Sequence, residues 1–195
     1  MEFVTLNNGV KMPLEGFGVF QVPDTAICEQ AVTDAIAAGY RLIDTAAAYY
    51  NEEAVGAAIA KSGVPREELF ITTKLWVQDA SYEAAQKAID TSLQKLGLDY
   101  LDLYLIHQPM GDYIGAYRAM EEAYHAGKLR AIGVSNFLPH HLNNLLERTS
   151  ITPMVNQLEF HPGYMQKAAV DFCKQMGIRV EAWSPIGRAR VLKEP

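Results

Sequence analysis

Four side chains in this sequence are of types that could move a proton together: Asp44, Tyr49, Lys74 and His107. A phenol with an unperturbed pKa near ~10 is a weak acid at neutral pH. An ammonium beside it would stabilise the phenolate and lower that value, so Lys74 next to Tyr49 would make a stronger acid. A carboxylate such as Asp44 would pair with the ammonium and compensate its partly buried charge. His107 could hydrogen-bond the oxygen of a bound carbonyl and orient it. Such a set aims a proton donor at a carbonyl oxygen that is gaining negative charge. It also needs a hydride donor, and a nicotinamide is the usual one.

Taken singly, each residue has a plainer reading. Asp44 suits a helix cap or a structural ion pair, Tyr49 an amphipathic surface aromatic, and Lys74 a solvated strand end. His107, before Gln108 and Pro109, suits a turn. Their position is what joins them. Asp44 and His107 close the apolar runs "YRLID" and "YLDLYLIH", Lys74 stands one residue before the end of "LFITTKL", and Tyr49 lies five residues beyond Asp44. Further runs are "PLEGFGVF", "LRAIGVSNF", "TPMVNQLEF" and "IRVEAWSP". Runs apolar at nearly every position predict parallel strands covered on both faces. Three more tips then carry Ser135 and Asn136, Gln157, and Trp183 with Ser184.

Helical patterns separate the runs. In 24–38, Ile27, Ala31 and Ala35 share a face beside Cys28, Val32 and Ile36. Tyr82, Ala85, Ile89, Leu93 and Leu96 repeat the spacing in 81–96, as do Met165, Ala169, Phe172 and Met176 in 165–176. Gly39, Gly97, Gly127 and Gly177 each stand where a left-handed helix end is expected. This alternation predicts an α/β fold. A dinucleotide fold with G-x-G-x-x-G is not supported, because "GFGVFQ" has Gln21 in place of the third glycine. Units recurring every ~25–30 residues instead predict a (β/α)₈ barrel, with the chemistry at the carboxyl ends of its strands. The stretch "FVTLNNGVKM" reads as a hairpin capping the bottom. Residues 1–195 read as a single barrel domain with about seven strands and six helices, the final βα unit being absent. Such a barrel is incomplete. It leaves open edges that self-association or a complementing segment would cover.

With 195 residues, 49% of them hydrophobic, the chain can bury a sizeable core. A formal net charge of −6 argues against a nucleic-acid partner. No apolar run approaches a membrane span, and the N-terminus lacks a signal pattern, so a cytoplasmic protein is expected. Cys28 and Cys173 read as buried, reduced thiols. His125, His140, His141 and His161 lack metal-ligand spacing, and His140-His141 suits a helix start, so no metal is expected.

The motifs "GFGVFQV", "DTAAAYYNEEAVG", "TTKLW", "DLYLIHQP", "IGVSNF", "VNQLEFHP" and "EAWSPIGR" resemble those of the aldo-keto reductase family, in the family's order. The resemblance is strongest to its bacterial 2,5-diketo-gluconate reductase and glyoxal reductase group. It implies a catalytic tetrad of Asp44, Tyr49, Lys74 and His107, with Tyr49 as proton donor. It also implies that Ser135, Asn136 and Gln157 hold a nicotinamide amide, that Trp183 stacks on its ring with Ser184 adjacent, and that Phe20 and Trp76 wall the substrate pocket. Tyr50 stands where the family often has glycine, a departure that would crowd the mouth. The implied activity is NADPH-dependent reduction of a small carbonyl such as a dicarbonyl or keto sugar. NADH remains an alternative, because the family's 2′-phosphate site lies beyond the matching motifs. Two other readings stay open: a Schiff-base aldolase using Lys74, and an inactive or split barrel that needs a complementing chain.

Overall fold

The computed structural model describes residues 1–187. Strands β1 (Phe3–Thr5) and β2 (Lys11–Pro13) pair antiparallel around Asn7, Asn8 and Gly9. The sequence then alternates strand and helix. The strands are β3 (Gly16–Gly18), β4 (Leu42–Asp44), β5 (Phe70–Leu75), β6 (Leu103–Ile106), β7 (Ile132–Ser135), β8 (Val155–Glu159) and β9 (Arg179–Trp183). They form one seven-stranded parallel sheet in chain order. The crossovers carry α1 (Thr25–Ala37), α2 (Glu52–Lys61), α3 (Tyr82–Leu96), α4 (Tyr113–His125), α5 (Pro139–Leu146) and α6 (Lys167–Gln175). Every residue of β5, β6 and β7 is buried, which is why these strands read as unbroken apolar runs.

The sheet is curled rather than flat. A side chain of β8 hydrogen-bonds one of β4 although three strands lie between them. Only a sheet bent into a barrel wall brings those strands face to face. Among the described residues the wall is open, with β3 and β9 as its edges. The expectation about a final βα unit falls on residues 188–195, which lie outside the described residues. The hairpin caps the end where strands begin, as expected. The Asn7 amide donates to the carbonyls of Pro153 and Gly177, and that of Asn8 to the carbonyl of Arg130. Leu6 and Met12 are buried beneath it.

Two helix faces differ from expectation. In α1 the buried stripe is Cys28, Val32, Ala35 and Ile36, while Ile27 faces solvent at 62% exposure. The stripe thus starts one residue later, and Ile27 falls about 100° outside it. In α6 the left-handed backbone of Gln166 delays the helix, so Met165 lies before it and exposed. Ala169 and Cys173 carry the contact there, and Met176 is exposed. Both cysteines are free and buried. Among the described residues no helix is long and apolar enough to cross a membrane.

Gly97 ends α3 with φ +66°, where the Leu98 N–H reaches back to the Leu93 carbonyl. Gly56 has a different task. A Cβ there would collide with the backbone of Leu96, so the glycine lets α2 press against the end of α3. In an exposed helix Gly→Ala stabilises by about 1 kcal/mol. Gly56→Ala is expected to reverse that sign and destabilise by about 1–3 kcal/mol through overpacking, measured by urea denaturation.

Candidate active site

Lys74 lies one residue from the end of β5 with its side chain 1% exposed. An unpaired ammonium in that setting would be too costly to keep charged. Its Nζ donates to Asp44 Oδ1 at 2.5 Å and to the Thr45 carbonyl at 2.9 Å. A longer contact of 3.5 Å reaches the Tyr49 hydroxyl. Burial opposes the charge, but Asp44 and then Tyr49 outweigh it, and the Lys74 pKa lies above the ordinary lysine value.

Tyr49 reaches this cluster from a 3₁₀ turn, Ala47–Tyr49, that follows β4. Its ring lies 5.1 Å from that of Phe20 and 5.6 Å, edge-on, from that of His107. The Tyr49 pKa is raised above 10.0, a correction to the lowering expected from the sequence. Burial is the largest cause, Lys74 pulls the other way, and Asp44 adds to the rise. The ammonium arrives with its own counterion, so its help to the phenolate is partly cancelled. Tyr50 corrects a second expectation. It takes the left-handed region, φ +57°, and is 82% exposed, so it leaves the mouth clear. A glycine at this place would serve the backbone rather than make room in the cleft.

His107 follows β6, and its backbone N–H donates to the Leu75 carbonyl at 3.1 Å. Its ring sits between Tyr49 and Trp76, 5.1 Å from the latter. Burial first, and Lys74 second, push its pKa down to about 3, and Nδ1 is buried without a partner.

A second group adjoins the first. The Asn136 amide donates to Ser135 Oγ at 3.0 Å and to the His107 carbonyl at 3.1 Å, and Trp183 Nε1 donates to Asn136 Oδ1 at 3.0 Å. Ser135 Oγ donates to the Gln157 carbonyl, and Gln157 Nε2 donates to Asp44 Oδ2 at 2.9 Å and to Glu181 Oε2 at 3.0 Å. Burial and the nearby Asp44 raise the Glu181 carboxyl to about 7, against weaker pulls from Gln157 and Lys74. Asn136 (φ +63°), just after β7, and Ser184 (φ +51°), just after β9, are left-handed non-glycine residues. Such backbones cost about 1–2 kcal/mol each and gather where a site demands them.

The structure therefore brings Asp44, Tyr49, Lys74 and His107 into one cluster and joins Ser135, Asn136, Gln157 and Trp183 to it. Ser184 follows Trp183, and Phe20 and Trp76 flank the cleft. Three supporting residues escaped the sequence reading. Asn51 is 2% exposed, accepts from the Thr45 hydroxyl and donates to the carbonyls of Val19 and Val22, tying the loops of Phe20 and Tyr49 together. Glu52, at the start of α2, is buried and accepts from Thr73 Oγ1 at 2.7 Å. Glu181 carried one signal, its alternation with Trp183 along β9.

Residues 17–194 match the aldo/keto reductase family. The chain belongs to that family. It is 55% identical over 190 residues to a glyoxal reductase from Bacillus subtilis, covering 97% of this chain and 69% of that protein. A crystal structure of an aldo/keto reductase from Brucella melitensis superposes with a TM-score of 0.93 at 46% identity, covering 95% of this chain and 73% of that one. An aldo-keto reductase from Bombyx mori, solved in complex with NADP, gives 0.90 at 40% identity over 94% and 66% of the two chains. Membership in this oxidoreductase family accounts for the barrel and its capping hairpin together.

The half-buried His107 makes a stability prediction for this chain. Its folded pKa, about 3, lies below its ordinary value of 6.5, so between those limits the unfolded chain binds a proton that the folded chain refuses. Stability is therefore lost as pH falls through this window. His107→Gln should remove that part of the acid sensitivity, up to about 1.4 kcal/mol per pH unit. Urea midpoints measured from pH 7 to pH 3 check it; parallel curves for the two proteins would refute it.

Proposed function

We propose that this chain reduces a small aldehyde or ketone to the alcohol, with Tyr49 giving its proton to the carbonyl oxygen. The observation that carries the reading is the Tyr49 hydroxyl beside a buried ammonium that is itself paired with Asp44. Tyr49 keeps its proton through neutral pH. The phenolate left after transfer faces the Lys74 ammonium, whose charge offsets it. His107 is neutral at the same pH. A bare ring nitrogen is cheaper to bury unpaired than an N–H, so the proton belongs on Nε2 and Nδ1 takes the buried place. His107 then donates to the substrate oxygen and holds it before Tyr49.

The second group suits a nicotinamide carboxamide. Ser135, Asn136 and Gln157 offer hydroxyl and amide groups, Trp183 offers an aromatic face, and Ser184 lies beside it. When bound, NADPH would supply the hydride, with NADH as the alternative. The NADP complex of the Bombyx mori relative supports the first choice. Phe20 and Trp76 would enclose a compact substrate, and the glyoxal reductase relative supports a dicarbonyl or similar small carbonyl.

A Schiff-base role for Lys74 is disfavoured. Its raised pKa and its donations to Asp44 and Thr45 leave no free lone pair for attack. The edges that β3 and β9 leave open among the described residues favour a second reading, in which a complementing segment closes the wall and completes the cofactor site.

Tyr49→Phe is expected to lower carbonyl reduction by about 10²–10⁴-fold. The cofactor's quenching of tryptophan fluorescence should keep its midpoint. Turnover close to that of the parent would overturn the role of Tyr49. In a pH–rate profile the loss of reduction that belongs to Tyr49 should come only on the alkaline side, above the ordinary tyrosine range, because burial raises its pKa.

A further inference from the structure

We propose that Glu181 is a positioning residue: with Asp44 it fixes the Gln157 amide and leaves the Gln157 oxygen as the acceptor for one N–H of a carboxamide ligand. The inference rests on the cofactor reading above. Gln157 and Glu181 are register partners on β8 and β9, and Glu181 shares its face of β9 with Trp183. The Gln157 nitrogen stands between two carboxylates, 2.9 Å from Asp44 Oδ2 and 3.0 Å from Glu181 Oε2.

An amide nitrogen carries two protons, and a carboxyl group keeps an accepting oxygen whether or not its other oxygen is protonated. Asp44 Oδ2 therefore accepts one N–H and Glu181 Oε2 the other. Flipping the amide would set its oxygen against both accepting oxygens and forfeit two hydrogen bonds, the one to Asp44 charge-assisted. Asp44 alone would not hold this arrangement. Its other oxygen is committed to Lys74, and a single bond lets the amide swing. Glu181 supplies the second point. Gln157 is only 5% exposed, so water offers little substitute. The backbone is pinned as well, because Ser135 Oγ donates to the Gln157 carbonyl at 3.0 Å. The side-chain oxygen accepts no hydrogen bond among the described residues and is not among the buried polar atoms left without one. It is the free valence of the clamp.

The test uses the whole chain with Glu181→Gln, whose carbonyl can still accept, and Glu181→Met, which fills similar space and cannot. The first readout needs no cofactor. In the nitrogen–proton spectrum the two Gln157 side-chain amide protons should be distinct and slow to exchange in the parent and in Glu181→Gln. In Glu181→Met one should exchange about tenfold faster or more. The second readout is binding of NADP⁺ against its 3-acetylpyridine analogue, which has methyl in place of the amide nitrogen. The parent and Glu181→Gln should prefer NADP⁺ by about 3–10-fold, the worth of one hydrogen bond, and Glu181→Met should lose the preference. A Met variant that keeps both the protected protons and the preference overturns the proposal, as does a parent that binds the two dinucleotides equally. Failure of every protein to bind either dinucleotide overturns the cofactor reading instead. The amide protons then still decide the clamp: loss of protection in Glu181→Met supports it, and retention refutes it.

Discussion

An ammonium with 1% of its side chain exposed must find acceptors inside the protein, and Lys74 on β5 obliges its neighbours to provide them. Asp44 on the next strand supplies an oxygen at 2.5 Å and the Thr45 carbonyl another at 2.9 Å, which fixes how the chain leaves β4. The 3₁₀ turn that follows carries Tyr49 back to the same charge, and Tyr50 takes a left-handed backbone to leave the turn. Asn51 then ties this loop to the one after β3. Much of the geometry at this end of the barrel follows from keeping one buried cation satisfied.

Burial sets the remaining electrostatics. It raises Tyr49 and Glu181 and lowers His107, in each case favouring the neutral form. Lys74 resists because its counterion is in contact. The cleft thus holds a proton-bearing phenol and a neutral imidazole beside one paired cation. That combination suits an oxygen that gains negative charge only during the reaction, because the donors are aimed before the charge develops.

The curl of the sheet joins this cluster to the group at β7, β8 and β9. Gln157 and Asp44 are separated by 113 residues and by three strands, yet their side chains hydrogen-bond. A flat parallel sheet would hold them some 19 Å apart, at ~4.8 Å per strand step. Two sets of residues that look independent along the chain become one network because the wall bends, and Gln157 is the link.

The central strands were legible because their apolar runs are continuous, as strands covered on both faces require, and the hairpin because Asn7-Asn8-Gly9 has turn chemistry. Asp44, Tyr49, Lys74 and His107 were legible as residues at strand ends. The phase of α1 was not, since a stripe can shift by one residue without altering its period, and Ile27 went to solvent. Nor was the direction of the Tyr49 shift, which depends on how deeply the ring is buried and how closely Asp44 shadows Lys74. Asn51 and Glu181 stayed hidden because their partners are distant along the chain or are backbone carbonyls. By itself the sequence determined the alternation of strand and helix and which chemical groups stand at the strand tips, because both are written in local spacing. The tertiary structure alone decided which tips meet, what is buried and which groups stay charged, because these depend on distances across the barrel and on the water excluded from it.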